Sequence, residues 1–166
     1  MTKDILRKAL PNLTDPKLLD RLLEKGQFST FEPGKTLMEP GQFVKAVPLV
    51  LEGSIKIMRM DEDGKELFLY YLEAGETCAL SLTCCSAARP SEIKAVVEEK
   101  VTVLFVPIQV HEQLTDEFKQ WKDFVSSTYQ HRFQEMLTVL DAIAFKRMDE
   151  RLMNYIVAKM KQLKTN

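Results

Sequence analysis

The sequence lacks the features that mark secreted and membrane-spanning proteins. No apolar run approaches the roughly 18 residues that a membrane-spanning helix needs. The first residues have no apolar segment of the kind found in signal peptides. The chain has three cysteines, and an odd number without an export signal favours a reducing compartment. We therefore expect a cytoplasmic protein that has no membrane partner.

Catalytic motifs are also missing. The sequence has no Ser/His/Asp arrangement and no glycine motif for phosphate binding. It has only two histidines, and both fall in predicted helices, whereas small β-barrel metalloenzymes cluster their ligands. A formal net charge of −1 gives no overall basic field for nucleic acid. The sequence thus predicts a protein that is not an enzyme and that binds no metal ion or cofactor.

Strand patterns fill the middle of the chain. Residues 28–107 contain short runs with period-two alternation, separated by turns. We expect Gly53 to break residues 47–60 into two strands, and residues 92–107 to supply two more. With about eight strands between helical ends, the pattern predicts a mainly β fold with flanking helices, in the form of a β-barrel.

Helical patterns stand on both sides of these strands. On the N-terminal side, Asp15 and Pro16 predict the start of a helix that Gly26 ends. On the C-terminal side, apolar residues recur at steps of three and four from Asp116 to about Ala142, which predicts one long amphipathic helix. Its apolar stripe either covers the barrel or pairs with a second copy of the chain. The residues that we assign to a dimer interface are Trp121, Val125, Tyr129, Phe133, Met136 and Leu140.

A further helix is expected after a break near Phe145. Residues 145–166 contain six basic and two acidic residues, which is compatible with a solvated helix face or with a partner-binding surface. The predicted organisation has three parts: a barrel with N-terminal helices over residues 1–114, a long helix over 115–143, and a final helix over 144–166.

Residues 31–76, FEPGKTLMEPGQFVKAVPLVLEGSIKIMRMDEDGKELFLYYLEAGE, resemble the N-terminal effector domain of Crp/Fnr-type bacterial transcription regulators. The resemblance rests on the paired Pro-Gly turns, on LVLEGSIKI and on LEAGE. It implies a cyclic-nucleotide-binding-type jelly-roll barrel followed by a long dimerisation helix, and hence a homodimer. The family's winged helix-turn-helix would begin just past Asn166, so DNA is an expected partner only where such a domain follows residue 166.

The resemblance also implies a ligand loop, in residues 75–99, GETCALSLTCCSAARPSEIKAVVEE. Nucleotide-binding members use a Gly-Glu pair for the ribose and an Arg-Ser pair for the cyclic phosphate. Matched by position, these pairs fall on Ala79-Leu80 and Ser91-Glu92. The residues that we assign to the ligand pocket are Cys78, Ala79, Leu80, Ser81, Arg89, Ser91, Glu92, Met136 and Leu137.

The residue types in this loop do not suit a cyclic phosphate. Leu80 stands where the ribose acceptor belongs, and Glu92 stands beside the phosphate. Two like charges 4 Å apart near a protein surface repel by about 4 kcal/mol. We therefore expect a degenerate pocket that does not bind cyclic AMP and that takes an unidentified small-molecule effector. In the alternative, a cyclic nucleotide binds through a non-standard phosphate loop in which Arg89 supplies the cation.

The three cysteines of the loop have three interpretations. They are small buried apolar residues, metal ligands, or thiol sensors at Cys78, Cys84 and Cys85. Adjacent Cys84 and Cys85 cannot easily direct both sulfur atoms at one ion. A thiol sensor needs a thiolate favoured by a helix N-terminus or by a cation such as Arg89. A free-standing barrel that senses thiol chemistry or docks a protein is accordingly the other function that the sequence leaves open.

Overall fold

The computed structural model describes residues 3–61, 63–87 and 89–145, and in the last segment residues 152, 153, 155–157, 159 and 160. The chain divides into two compact units, Met1–Thr128 and Tyr129–Asn166, and we call the first the β-domain. The helices and strands are α1 (Lys3–Ala9), α2 (Pro16–Lys25), β1 (Gln27–Phe31), β2 (Thr36–Met38), β3 (Ala46–Met60), β4 (Glu66–Leu72), α3 (Ala79–Ser86), β5 (Ile93–Pro107), α4 (Ile108–Glu117) and α5 (Lys119–Phe145).

Helix α2 begins and ends where the sequence predicts. The Asp15 carboxylate accepts the backbone N–H of Lys17 at 2.8 Å, and Pro16 is the first helical residue. At the other end the N–H of Gly26 donates to the carbonyl of Leu22. The apolar face of α2 is buried in the core, so the helix is fixed by local caps and by packing together.

The strands of the β-domain form one antiparallel sheet in the order β1-β5-β3-β4, with β2 also paired to β5. The described part of the chain has five strands, so the prediction of about eight was wrong. Strands β3 and β5 are each continuous over 15 residues. Gly53 does not end β3, because it adopts a positive φ of 77° at a register shift against β5. The extra residue is absorbed as a bulge that bends the strand.

Two apolar clusters fill the β-domain. One cluster lies between the sheet and the helices and contains leucines from α1 and α2 together with Trp121. The other is built mainly by the strands, with Cys78 added from the loop before α3, and includes Ile55, Ile57 and Val103. The predicted class, a mainly β fold with flanking helices and a long helix after the sheet, is confirmed.

The long helix does not begin at Asp116. Helix α4 continues to Glu117, and α5 starts at Lys119. Between them Phe118 is extended, with φ −122° and ψ 111°, and its N–H donates to the carbonyl of Leu114. This single residue ends one helix and redirects the chain into the next, which apolar periodicity alone does not reveal.

The second unit contains α5 from Tyr129 onward and the described residues of the last segment. Those between 152 and 160 are helical. Residues 146–151, 154, 158 and 161–166 of the predicted basic helix lie outside the described residues. In the part of the chain that the structure describes, no helix is long and apolar enough to cross a membrane.

Gly53→Ala tests the bulge in β3. A Cβ at residue 53 would meet the carbonyl oxygen of Lys100, and the backbone there has a positive φ. We expect a loss of unfolding free energy of roughly 2–4 kcal/mol, measured by urea denaturation. Gly34→Ala is the matched control, because residue 34 has a similar φ of 83° but no atom close to the added Cβ. It should lose only about 1–2 kcal/mol, and equal losses in the two variants would contradict this account.

Candidate effector pocket

The loop that leads into α3 is attached to β3 by backbone hydrogen bonds. The N–H of Gly75 donates to the carbonyl of Val50 at 2.9 Å, and the N–H of Val50 donates to the carbonyl of Glu76 at 3.0 Å. Gly75 has a φ of 90°, and the Glu76 carboxylate accepts the N–H of Glu73 at 2.9 Å. Gly75 and Glu76 thus form a structural turn.

Cys78 caps the N-terminus of α3. Its sulfur accepts the N–H of Ser81 at 3.4 Å and lies 3.6 Å from the hydroxyl of Tyr70. Just before it, the Thr77 hydroxyl donates to the carbonyl of Pro48 at 2.7 Å. Cys78 and Thr77 are both buried. The start of α3 is therefore held against β3 and β4.

A small apolar cavity lies at this end of α3. Its volume is about 40 Å³, which is room for about three water molecules and less than a nucleotide needs. Among the described lining residues, only Ser81, Cys78 and Met38 have a side-chain oxygen or sulfur atom. The lining residues are Leu37, Met38, Val44, Ala46, Pro48, Ile55, Ile57, Leu72, Cys78, Ser81, Ile93, Ala95 and Phe105.

The predicted pocket residues are only partly brought together. Cys78 and Ser81 line the cavity, and Ala79 is buried in the first turn of α3 without lining it. Leu80 is 36% exposed and Arg89 is exposed. Both therefore present surface to solvent. Met136 and Leu137 belong to the second unit, where both are exposed.

Ser91 holds two loops together. Its N–H donates to the carbonyl of Gln42, and its own carbonyl accepts the N–H of Gly41, each at 2.7 Å. Its buried hydroxyl accepts the N–H of Ile93 at 3.2 Å. All three polar groups of Ser91 are engaged within the β-domain.

Glu92 has a basic partner that the sequence analysis missed. The guanidinium of Arg59 lies 2.9 Å from the Glu92 carboxylate, and Arg59 is paired with Ile93 in the β3–β5 ladder. Both side chains are largely exposed, so the pair adds little stability. Its consequence is electrostatic: Glu92 is not an isolated negative charge, and Arg59 is not a free cation.

A second ion pair joins β5 to β4. The ammonium of Lys94 lies 2.8 Å from the carboxylate of Glu66 on β4. This hydrogen bond lowers the pKa of Glu66 and raises the pKa of Lys94. Because β3 lies between β4 and β5, Glu66 and Lys94 are not on neighbouring strands, and the sequence alone carries no signal for this ion pair.

Cys84 and Cys85 are not poised as thiolates. All three are free, and Cys78 and Cys85 are buried. Burial raises the pKa of Cys84, and it raises the pKa of Cys85 to about 11, with the neighbouring thiols adding to the effect. Among the described residues no group of three His, Cys, Asp or Glu side chains is placed to hold a metal ion. Thiol sensing remains a prediction, and the environments of Cys84 and Cys85 do not favour it.

The assignment of Trp121 to a dimer interface was wrong. Its side chain is 0% exposed and belongs to the core of the β-domain. Val125 is half-buried and packs against the same cluster. The remaining assigned residues, Tyr129, Phe133, Met136 and Leu140, lie in the second unit and are exposed. The same apolar periodicity therefore includes buried residues at the start of α5 and exposed residues further along the helix.

Comparison with known proteins identifies relatives of this arrangement. Residues 28–118 match the family model of the cyclic nucleotide-binding domain. The global nitrogen regulator of Synechococcus elongatus is 22% identical over 131 residues, which cover 79% of this chain and 59% of that protein. This chain thus spans about three-fifths of the length of that relative.

Solved structures share the fold. A c-di-GMP-responsive global regulator from Xanthomonas campestris is 16% identical with a TM-score of 0.75, over 86% of this chain and 70% of that one. The catabolite activator protein of Thermus thermophilus is 21% identical with a TM-score of 0.68, over 82% and 63%. At these identities the similarity establishes the fold alone.

The reactivity of Cys85 tests the thiol environment. With a pKa of about 11, its thiolate is scarce near neutral pH. We expect iodoacetamide to modify it at least about 100-fold more slowly in the folded protein than in urea. Peptide mass spectrometry of timed samples measures the rate, and half-buried Cys84 should react faster. Equal rates for Cys85 in the folded and unfolded protein would contradict the burial and would favour thiol sensing.

Proposed function

The chain belongs to the cyclic nucleotide-binding domain family, and from this membership we propose that it is the effector-sensing and dimerisation domain of a Crp/Fnr-like transcription regulator. The observation that carries the proposal is the apolar cavity at the start of α3, in the segment where the family resemblance places the ligand loop. The relative from Synechococcus elongatus and the structural neighbour from Xanthomonas campestris are both named as global regulators.

The effector is proposed to be small and apolar, with one hydrogen-bonding group. The described lining residues include no cation, and a cyclic phosphate needs a guanidinium or several converging N–H donors. Arg59 is engaged by Glu92. Ser81 has the single side-chain hydroxyl among the described lining residues. These features support a ligand other than cyclic AMP.

Dimerisation is proposed to use the exposed stripe of α5. Tyr129, Phe133, Met136 and Leu140 follow each other at steps of four, three and four, and Phe133 is 58% exposed. Apolar side chains on one side of a helix gain about 25 cal/mol for each Å² that they bury. A second copy of the chain presents the same stripe, so a twofold pairing of two α5 helices would cover both.

Effector binding and dimerisation would together allow the protein to act as a sensor. An effector that binds one conformation better than another shifts the equilibrium between them by its difference in affinity. In a protein where a DNA-binding domain follows residue 166, that shift would change how the dimer presents the domain to DNA. Contact with DNA is proposed for such a protein only.

The oligomeric state tests this proposal. We expect the protein to sediment as a dimer at micromolar concentration and Phe133→Glu to sediment as a monomer, because a carboxylate would be placed on the apolar stripe. Thr138→Glu is the matched control: at 100° per residue it lies on the side of α5 opposite to the stripe, and it is also exposed. It should leave the dimer intact.

Two results would contradict the proposal. The first is a wild-type monomer at micromolar concentration. The second is a dimer that Phe133→Glu and Thr138→Glu weaken equally, because the interface would then not lie on the stripe. Far-ultraviolet circular dichroism confirms that each variant is folded.

A further inference from the structure

A buried hydrogen bond joins α4 to the first turn of α5. The indole N–H of Trp121 donates to Nδ1 of His111 at 3.1 Å, and the two rings meet edge to face at 5.8 Å between centroids. Trp121 is 0% exposed and His111 is 8% exposed. No other part of the proposed function uses this pair.

The hydrogen bond fixes the protonation state of His111. Indole is a donor only, so Nδ1 must carry the lone pair, and the single ring proton of the neutral imidazole must be on Nε2. A protonated imidazole carries hydrogen on both nitrogens. The N–H groups of Trp121 and His111 would then face each other, and the hydrogen bond would be lost.

Protons can reach His111 through an open cavity. The ring lines a cleft of about 370 Å³ whose other lining residues are Cys85, Ile108, Glu112, Thr115 and Asp116. The titratable groups that line this cleft with His111 are Glu112 and Asp116 from α4 itself and Cys85 from α3, and α5 contacts the ring through the uncharged indole of Trp121. Burial lowers the pKa of His111, and the negative charge of Glu112 partly opposes this.

Trp121 and Gln120 both attach the start of α5 to the rest of the β-domain. The side-chain oxygen of Gln120 accepts the N–H groups of Thr14 at 3.0 Å and Asp15 at 2.9 Å. Trp121 also packs on Phe124 and within the core beside the leucines of α1 and α2. Only Phe118 separates α4 from α5, so a change at Trp121 acts directly on the joint between the helices.

We propose that the protonation of His111 controls how the first turn of α5 is attached to α4. The neutral ring holds Trp121 through the indole hydrogen bond, and the protonated ring releases it. We call this pair of residues the latch. The latch does not depend on the proposed effector or on dimerisation. It would make the start of the long helix sensitive to acidification.

The direction of the pH effect follows from the neutral form. Because the folded protein lowers the pKa of His111, the unfolded chain binds this proton more readily. The stabilisation is complete above the ordinary histidine pKa of about 6.5 and is lost as the pH falls through the lowered value in the folded protein. The latch is thus closed at neutral pH and opens on the acidic side.

The composition of the chain makes the latch directly measurable. The protein has one tryptophan, so its fluorescence and its single indole N–H signal in a ¹H–¹⁵N spectrum both report Trp121. Between about pH 8 and pH 5 we expect the emission to shift to longer wavelength and the indole proton to lose its protection from exchange. Far-ultraviolet circular dichroism should stay constant, because the change is local.

Two histidine variants separate the latch from general acid effects. His111→Gln removes the titrating group and should abolish the fluorescence transition. His131→Gln removes the only other histidine, which is exposed on α5, and should keep it. A transition that survives in His111→Gln, a wild-type protein without one, or a simultaneous loss of circular dichroism would each overturn the proposal.

A second measurement applies if His111→Gln does not fold. In Trp121→Phe the ring proton signals of His111 can still be titrated, and His131→Gln assigns them. Because the indole hydrogen bond favours the neutral imidazole, its removal should raise the titration midpoint of His111 above that of the wild type. An unchanged or lower midpoint would overturn the latch.

Discussion

The antiparallel pairing of β3 with β5 is the interaction on which the rest of the structure depends. It runs from Ala46 with Pro107 to Arg59 with Ile93, and the other strands add to one or other member of this pair. Helix α3 lies in the connection from β4 to β5, and α4 follows β5 directly. The pairing therefore positions both the apolar cavity and the joint that contains His111.

The electrostatics of the candidate pocket differ from those that the sequence suggests. In the sequence Glu92 is an isolated charge that would repel a phosphate. In the structure Arg59 compensates it, so repulsion is weaker than a lone carboxylate would give. What argues against a cyclic nucleotide is the lack of a cation among the described lining residues and the small volume of the cavity. The expectation that the pocket does not bind a cyclic nucleotide is therefore kept, but its basis is now the pocket lining and volume rather than the charge of Glu92.

Features set by neighbouring residues could be predicted from the sequence. The Asp15 cap and the start of α2 at Pro16 are of this kind. Features that need a partner far along the chain could not. Gly53 reads as a strand end, and only its close approach to Lys100 on β5 turns it into a bulge. The register of β3 against β5 also decides that Arg59 lies beside Glu92. Likewise, the stripe of α5 has one periodicity, which cannot tell Trp121 in the core from Phe133 on the surface.

We propose that this member of the cyclic nucleotide-binding domain family has an apolar pocket with no cation among its described lining residues. Calorimetric titration of the protein with cyclic AMP and with cyclic GMP tests it most directly. We expect no saturable heat with either nucleotide up to millimolar concentration. A micromolar dissociation constant that Arg89→Ala abolishes would contradict it, because the exposed guanidinium of Arg89 would then be the missing cation of a non-standard phosphate loop.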